Sequence, residues 1–167
     1  MDLKLKILKE KDVGQDYVDW FLDREVIRFS NNQYRKFTID GQKEYVKNCF
    51  LNNDIDLFGI YDGNKHIGNI SISGLSSVHK KAEVTYVIGD RKYWGKGVAT
   101  FALLDITKKA VNDYMLNKLV AGSVAENIAS IKVLEKNGFV LEGTRPKHLI
   151  YGGKFYNQLD YGLLLSI

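Results

Sequence analysis

A single cysteine, Cys49, and a single proline, Pro146, stand in 167 residues. One cysteine cannot close an internal disulfide and brings no thiolate cluster to a metal. So little proline excludes a proline-rich linker or tail. No run of about 18 apolar residues is present, so no membrane-spanning helix is expected. Met1 to Glu10 carry charges every few positions and lack the apolar stretch of a secretory leader. These absences point to a reducing, cytoplasmic setting with no membrane partner. Neither sign of charge dominates: 24 Lys and Arg face 20 Asp and Glu, a net of +4. The basic residues are dispersed rather than gathered into a stripe, which argues against a nucleic-acid partner. What remains is a mild bias toward an anionic ligand. His66, His79 and His148 are scattered without metal-ligand spacing, so no metal site is expected.

What is present is the balance of a globular protein, 45% hydrophobic and 26% charged, with ten tyrosines. The length suits a single domain over residues 1–167. A chain of this size buries roughly 70% of its unfolded surface. No internal repeat or low-complexity segment occurs.

Periodicity assigns the elements. Leu3 to Leu8 alternates apolar and basic residues and reads as a strand. Tyr17, Val18, Phe21 and Leu22 recur at helical spacing, predicting a helix over Asp12 to Arg24. Thr38 is the N-cap of a second helix carrying Tyr45, Val46, Cys49 and Phe50. Asp62-Gly63-Asn64 joins two apolar runs as a hairpin turn. Ala82 to Ile88 is a strand, Val98 to Asn112 a helix, Leu119 to Val124 a buried strand, and Ile128 to Asn137 a helix stopped by Gly138. Phe139 to Leu141 begins a strand, Tyr151-Gly152-Gly153-Lys154 turns, and Leu159 to Leu165 closes the chain. A central hairpin followed by strand–helix–strand–helix–strand predicts a three-layer α/β fold, with a mixed twisted sheet between helices.

Chemistry concentrates in Arg91-Lys92-Tyr93-Trp94-Gly95-Lys96-Gly97-Val98-Ala99-Thr100, which follows a strand and opens a helix. Gly95 and Gly97 let the backbone approach a ligand with no Cβ in the way. Their N–H groups, with those of the helix start, form an anion site suited to a pyrophosphate. The full dinucleotide fingerprint is missing, since Thr100 stands at its third glycine, and so is the Walker pattern. An ordinary turn, or a loop for another nucleotide, stays open on these residues alone. Thirty residues on comes Asn127-Ile128-Ala129-Ser130, then Glu135-Lys136-Asn137-Gly138-Phe139. With both motifs in this order, the chain resembles the GNAT acetyltransferase superfamily over essentially its whole length. Within it the chain is most similar to the branch with the RimJ/RimL-type ribosomal-protein acetyltransferases and many small-amine acetyltransferases.

The resemblance implies a GNAT-like fold with acetyl-CoA as co-substrate, bound where two parallel strands, Ala82 to Ile88 and Leu119 to Val124, splay apart. It implies that Val87 and Ile88 bind the pantetheine arm and thioester carbonyl. Gly95, Lys96, Gly97, Val98, Ala99 and Thr100 would hold the pyrophosphate, with Lys92 where relatives often carry Gln or Arg. Asn127 would bind pantetheine or a phosphate, aided by Ser130, although Asn127 is equally an N-cap. The implied reaction is attack of an amine on the thioester. A lysine-like amine, with a pKa near ~10.4, needs a general base more than an α-amino group near ~8. Glu83, on the face of Thr85 and Val87, is the candidate base, with a solvated Glu paired to Lys80 or Lys81 as the plain alternative. Many relatives carry a tyrosine seven residues after the motif Asn as the acid, and here that position is Leu134. Tyr86, Tyr151 and Tyr156 are conceivable substitutes.

The acceptor is implied to be a small-molecule primary amine. The cation-rich segment Arg24 to Lys36 suits an anionic one such as a nucleotide-linked amino sugar, with Arg28, Tyr34 and Arg35 as candidate binding residues. A polyamine acceptor would want an acidic pocket, for which Asp54 and Asp56 are the candidates. A protein N-terminus, or a non-catalytic acyl-CoA-binding relative, are the other readings. A homodimer is common in this branch.

Overall fold

The computed structural model describes residues 1–165. Seven strands form one sheet in the order β1-β2-β3-β4-β5-β7-β6. They are β1 (Leu3–Ile7), β2 (Ile55–Asp62), β3 (Lys65–Ser76), β4 (Lys81–Ile88), β5 (Lys118–Val124), β6 (Val140–Tyr151) and β7 (Lys154–Leu164). The helices are α1 (Gln15–Leu22), α2 (Ile39–Leu51), α3 (Val98–Asn112) and α4 (Ile128–Lys136). Every neighbouring pair is antiparallel except β4 and β5, which run parallel. Helix α3 makes the crossover between those two, as a parallel connection requires.

Strand alternation divides the core into two layers. Phe58 and Ile60 of β2, Ile70 and Ile72 of β3 and Val84 of β4 face Leu103 and Ile106 of α3 and Leu134 of α4. Leu57 and Val87 belong to the opposite face, with Tyr17, Trp20 and Phe21 of α1 and Val46 and Cys49 of α2. Helices therefore cover both faces of a mixed sheet, the expected three-layer architecture.

Local chemistry explains the boundaries. The Gly41 N–H donates to Thr38 Oγ1 at 3.1 Å, so Thr38 caps α2 as its sequence suggests. Helix α1 is shorter than the predicted Asp12 to Arg24. Asp12 instead accepts from the Lys9 N–H at 2.9 Å and closes a separate 3-10 turn over Glu10–Asp12. Gly14 then sits extended at the N-cap, and Asp23 is extended at the C-cap.

The feature that positions the site is the brevity of the parallel pair. β4 and β5 share only three rungs, Lys81 with Lys118, Ala82 with Leu119 and Glu83 with Val120. Beyond Glu83 the strands part. β4 stays with β3 as far as Ile88, and β5 stays with β7 as far as Val124.

Just past the end of β4, the Trp20 ring lies flat against Gly89, where a Cβ would fall inside the indole. Trp20 is 6% exposed, so the ring has little room to withdraw. Gly89→Ala is expected to cost about 1–3 kcal/mol through overpacking. A lowered urea midpoint with an unchanged slope would register it; a parental midpoint would contradict the contact.

Beside this contact His66 stacks on Tyr61 at 4.9 Å and meets Trp20 edge-on at 4.8 Å. Its Nε2–H donates to Asn69 Oδ1 at 2.7 Å. Burial pushes the imidazole below its ordinary pKa, so the folded protein prefers it neutral. Below the unfolded value near ~6.5 the unfolded chain binds the extra proton more readily, so stability falls as pH drops through that value. In His66→Phe that part of the acid slope should vanish, as urea titrations between pH 7.5 and 5 will reveal; an unaltered slope would refute the assignment.

Candidate active site

Where β4 and β5 part, a cleft of about 910 Å³ opens. Its floor carries Asn69 and Ser71 of β3 and Thr85 and Val87 of β4. The register pairs Asn69 with Val87 and Ser71 with Thr85, so the four share one face. Ala121 to Val124 of β5 and the first turns of α4 form one wall; α1, α2 and the segment after α1 form the other. The start of α3 closes one end.

That end is built by a short chain of contacts. The N–H groups of Gly89 and Asp90 both donate to Ile67 O. Asp90 accepts from the Lys92 N–H at 2.9 Å and from Lys65 Nζ at 2.6 Å. Partial burial opposes ionisation of Asp90, but Lys65 and the Lys92 amide outweigh it and hold the carboxyl below the usual range. Trp94 Nε1 donates to Ile88 O at 2.8 Å, pinning the turn to the end of β4. Gly95 and Gly97 then take φ of +71° and +78°, a left-handed backbone that glycine adopts without a steric penalty.

As a result the N–H groups of Gly95, Gly97, Val98, Ala99 and Thr100 have no acceptor among the described residues, and all five residues line the cleft. They lie at the positive end of the 15-residue α3. Five main-chain donors converging at a helix start fit a pyrophosphate. The Lys96 N–H is spent on Tyr93 O at 3.4 Å, and neither Lys92 nor Lys96 lines the cleft. Lys92 borders a separate recess with Asp16, Asp19 and Asp23.

Across the cleft, Asn127 Oδ1 accepts from the Ser130 N–H at 3.3 Å and caps α4. The Tyr86 hydroxyl lies 2.9 Å from Ser130 Oγ and 3.3 Å from Ser130 O. Burial raises the Tyr86 hydroxyl above its ordinary pKa, keeping it a proton donor. Leu134, where many relatives carry a tyrosine, is buried and lines the same wall.

Glu83 is not brought into this cleft. It shares the face of Thr85 and Val87, as alternation requires, but occupies the last rung shared with β5 and is exposed. On the side of the segment after α1, Arg28 lies over Phe29 at 5.0 Å, and Arg35 lies 5.7 Å from the Phe37 ring and 5.9 Å from the Tyr45 ring. Both arginines line the cleft. Tyr34 does not; its hydroxyl donates to Ile150 O at 2.7 Å, tying the 31–34 turn to the end of β6. Asp54 and Asp56 stand away from the cleft, and Asp56 accepts from the Tyr114 hydroxyl. Tyr151 and Tyr156 also stand outside the lining, in contact with each other.

The same side also holds Tyr17, Gln42, Tyr45 and Asn69, which sequence reasoning passed over. Burial pushes the Tyr45 hydroxyl up to about 12 and raises that of Tyr17 as well, so both stay neutral. The aromatic residues followed an apolar periodicity and read as core. Gln42 interrupts the same stripe, and that interruption was the available signal.

The comparisons with known proteins agree with this geometry. The chain is 31% identical over 136 residues to the "Putative ribosomal N-acetyltransferase YdaF" of Bacillus subtilis (strain 168), covering 81% of this chain and 71% of that protein. Among solved structures, the spermidine N-acetyltransferase from Vibrio cholerae in complex with CoA and spermine superposes with a TM-score of 0.87 at 20% identity, over 99% of this chain and 96% of that one. The ribosomal-protein-S5-alanine acetyltransferase from Vibrio fischeri superposes with a TM-score of 0.87 at 22% identity, over 99% and 94%. Residues 2–140 match the model of the acetyltransferase (GNAT) domain. With that match spanning most of the chain, the protein belongs to the GNAT acetyltransferase family and is an acetyl-CoA-dependent N-acetyltransferase.

Proposed function

We propose that this chain, acting as one N-acetyltransferase domain in a reducing cytoplasmic setting, moves the acetyl group of acetyl-CoA to the primary amine of a small molecule bearing an anionic group, such as a nucleotide-linked amino sugar. The observation that carries the donor half is the set of five free amides from Gly95 to Thr100. They would take the pyrophosphate, and the β4 edge at Val87 and Ile88, no longer shared with β5, would take the pantetheine arm. Asn127 and Ser130 flank that path from α4.

The acceptor half rests on charge. Arg28 and Arg35 line it, against one carboxylate, Glu25. A polycationic acceptor would gain little there, whereas a phosphate or carboxylate would gain a guanidinium partner. Aromatic faces hold both guanidinium groups near the cleft, which lowers the entropy lost on binding.

In the reaction the attacking amine must shed a proton. Glu83, paired with Ser73, lies two rungs outside the Ser71–Thr85 pair on the same face, and we assign it as a base acting through water along that hydroxyl-lined strip. The departing thiolate needs little help, since a thiol near ~8.5 is a fair leaving group. An acceptor screen with acetyl-CoA, setting nucleotide amino sugars against polyamines and N-terminal peptides, tests the reading. Turnover confined to polyamines or to N-terminal peptides would replace it.

Two variants sharpen the test. A Cβ at Gly97 meets no protein atom within 4 Å, so Gly97→Ala should cost only left-handed backbone strain, about 1–2 kcal/mol of stability. The CoA dissociation constant, read by calorimetry, should rise by about tenfold or more as the added methyl crowds the anion site. A dissociation constant within twofold of the parent would overturn the phosphate assignment. Glu83→Gln should lower kcat/KM at pH 7 by roughly 10²-fold. That deficit should shrink as pH rises toward the amine's own pKa, because more amine is already neutral; a constant deficit from pH 6 to 10 would remove Glu83 from the proton path.

A further inference from the structure

Helix α2 buries Gln42, Val46 and Cys49 at helical spacing. Val46 and Cys49 join the apolar layer with Tyr17, Phe21 and Leu57. Gln42 opens the same stripe and is only 4% exposed. Its main-chain N–H is spent on Thr38 O at 3.0 Å, but its side-chain amide has no hydrogen-bond partner among the described residues. Gln42 also lines the acceptor side of the cleft. No buried side-chain polar atom among the described residues lacks a partner, so the unbonded Gln42 amide is not sealed in the core but opens onto the cleft, where a ligand can reach it.

Asn69 is the second buried amide on that side, also 4% exposed. With its Oδ1 occupied by His66 Nε2, its NH₂ is left for the Tyr17 hydroxyl. Tyr17 in turn keeps its own proton to donate. The inner acceptor wall thus offers uncharged donors and acceptors between the rings of Tyr17, Phe21, Phe37 and Tyr45, with Arg35 against the Phe37 and Tyr45 rings at its edge. An anionic group of the acceptor would turn to Arg35, and an ammonium would find no opposite charge among Gln42, Asn69 and Tyr17. A hydroxyl, which donates and accepts at once, matches an amide with both functions free.

Resting on the N-acetyltransfer reading above, we infer that Gln42 is a specificity-determining residue that hydrogen-bonds a hydroxyl of the acceptor, so that hydroxylated amines of the amino-sugar type are preferred to plain alkyl or cycloalkyl amines. An acceptor lacking the hydroxyl leaves the Gln42 amide unpaired in the closed complex, and sites of this kind reject such analogues strongly.

The test compares two ring amines, 2-amino-2-deoxyglucose and cyclohexylamine, with the full chain. Binding to CoA-saturated protein is followed by ligand-observed NMR, and transfer from acetyl-CoA by thiol release. The parent should favour the amino sugar by at least about tenfold, and Gln42→Leu should erase most of that preference while melting no lower than the parent. Gln42→Asn, which keeps an amide but shortens its reach, should lose the preference in part. Equal parental binding of the two amines would overturn the inference, as would a preference that survives Gln42→Leu. If the hydroxyl preference appears in binding but neither amine is acetylated, the role of Gln42 stands and the choice of acceptor falls.

Discussion

The molecule is organised by the early parting of β4 and β5. A parallel pair held for three rungs and then released leaves one edge of β4 without a strand partner from Val84 to Ile88. Exposed strand edges ordinarily invite unwanted pairing. Here the edge lies inside the molecule, walled by α4 on one side and by α1 and α2 on the other. The same parting that weakens the sheet creates the cleft to which the proposed reaction assigns both substrates. Every functional residue discussed is defined by its distance from that fork: Glu83 at its base, Thr85 and Val87 within it, and the glycine turn at its mouth.

Stability and function are joined at the end of β4. Trp20 rests on Gly89, Gly89 and Asp90 share Ile67 O, Asp90 holds Lys65 and the Lys92 amide, and Trp94 reaches back to Ile88. Each contact is modest alone, since a net hydrogen bond contributes about 0.5–1.5 kcal/mol. In series they orient the amides from Gly95 to Thr100. The preorganisation of a site made of backbone therefore depends on core packing in α1, on the opposite side of the sheet from α3.

Much of this was legible in the residues. The span of α3, the Asp62-Gly63-Asn64 turn, the Thr38 cap and the Gly95–Gly97 loop were each set by local chemistry, and local chemistry is visible in one dimension. The shortened α1 was not, because Asp12 satisfied the Lys9 N–H in place of a helix start. Alternation placed Glu83 on the face it occupies but could not reveal where β4 and β5 separate, so its distance from the cleft emerged only in three dimensions. Tyr34 stood in a cation-rich segment suited to an acceptor, yet its hydroxyl is taken by Ile150 O, a partner 116 residues away. Gln42 is the reverse case. A polar residue on an apolar stripe was visible, but the cleft beside it was not.

The five amides at the start of α3 carry a last consequence. A grip made of main-chain atoms has no proton to lose and no side chain to modify. Acidity, acylation and substitution cannot touch its atoms directly; they reach it only through backbone shape, at the two glycines or in the contacts around Gly89, Asp90 and Trp94 that hold the turn. On the proposed assignment, the opposite wall, built from Gln42, Arg28, Arg35 and their aromatic supports, is a separate set of side chains that can be rewritten for a new amine while the backbone grip is kept.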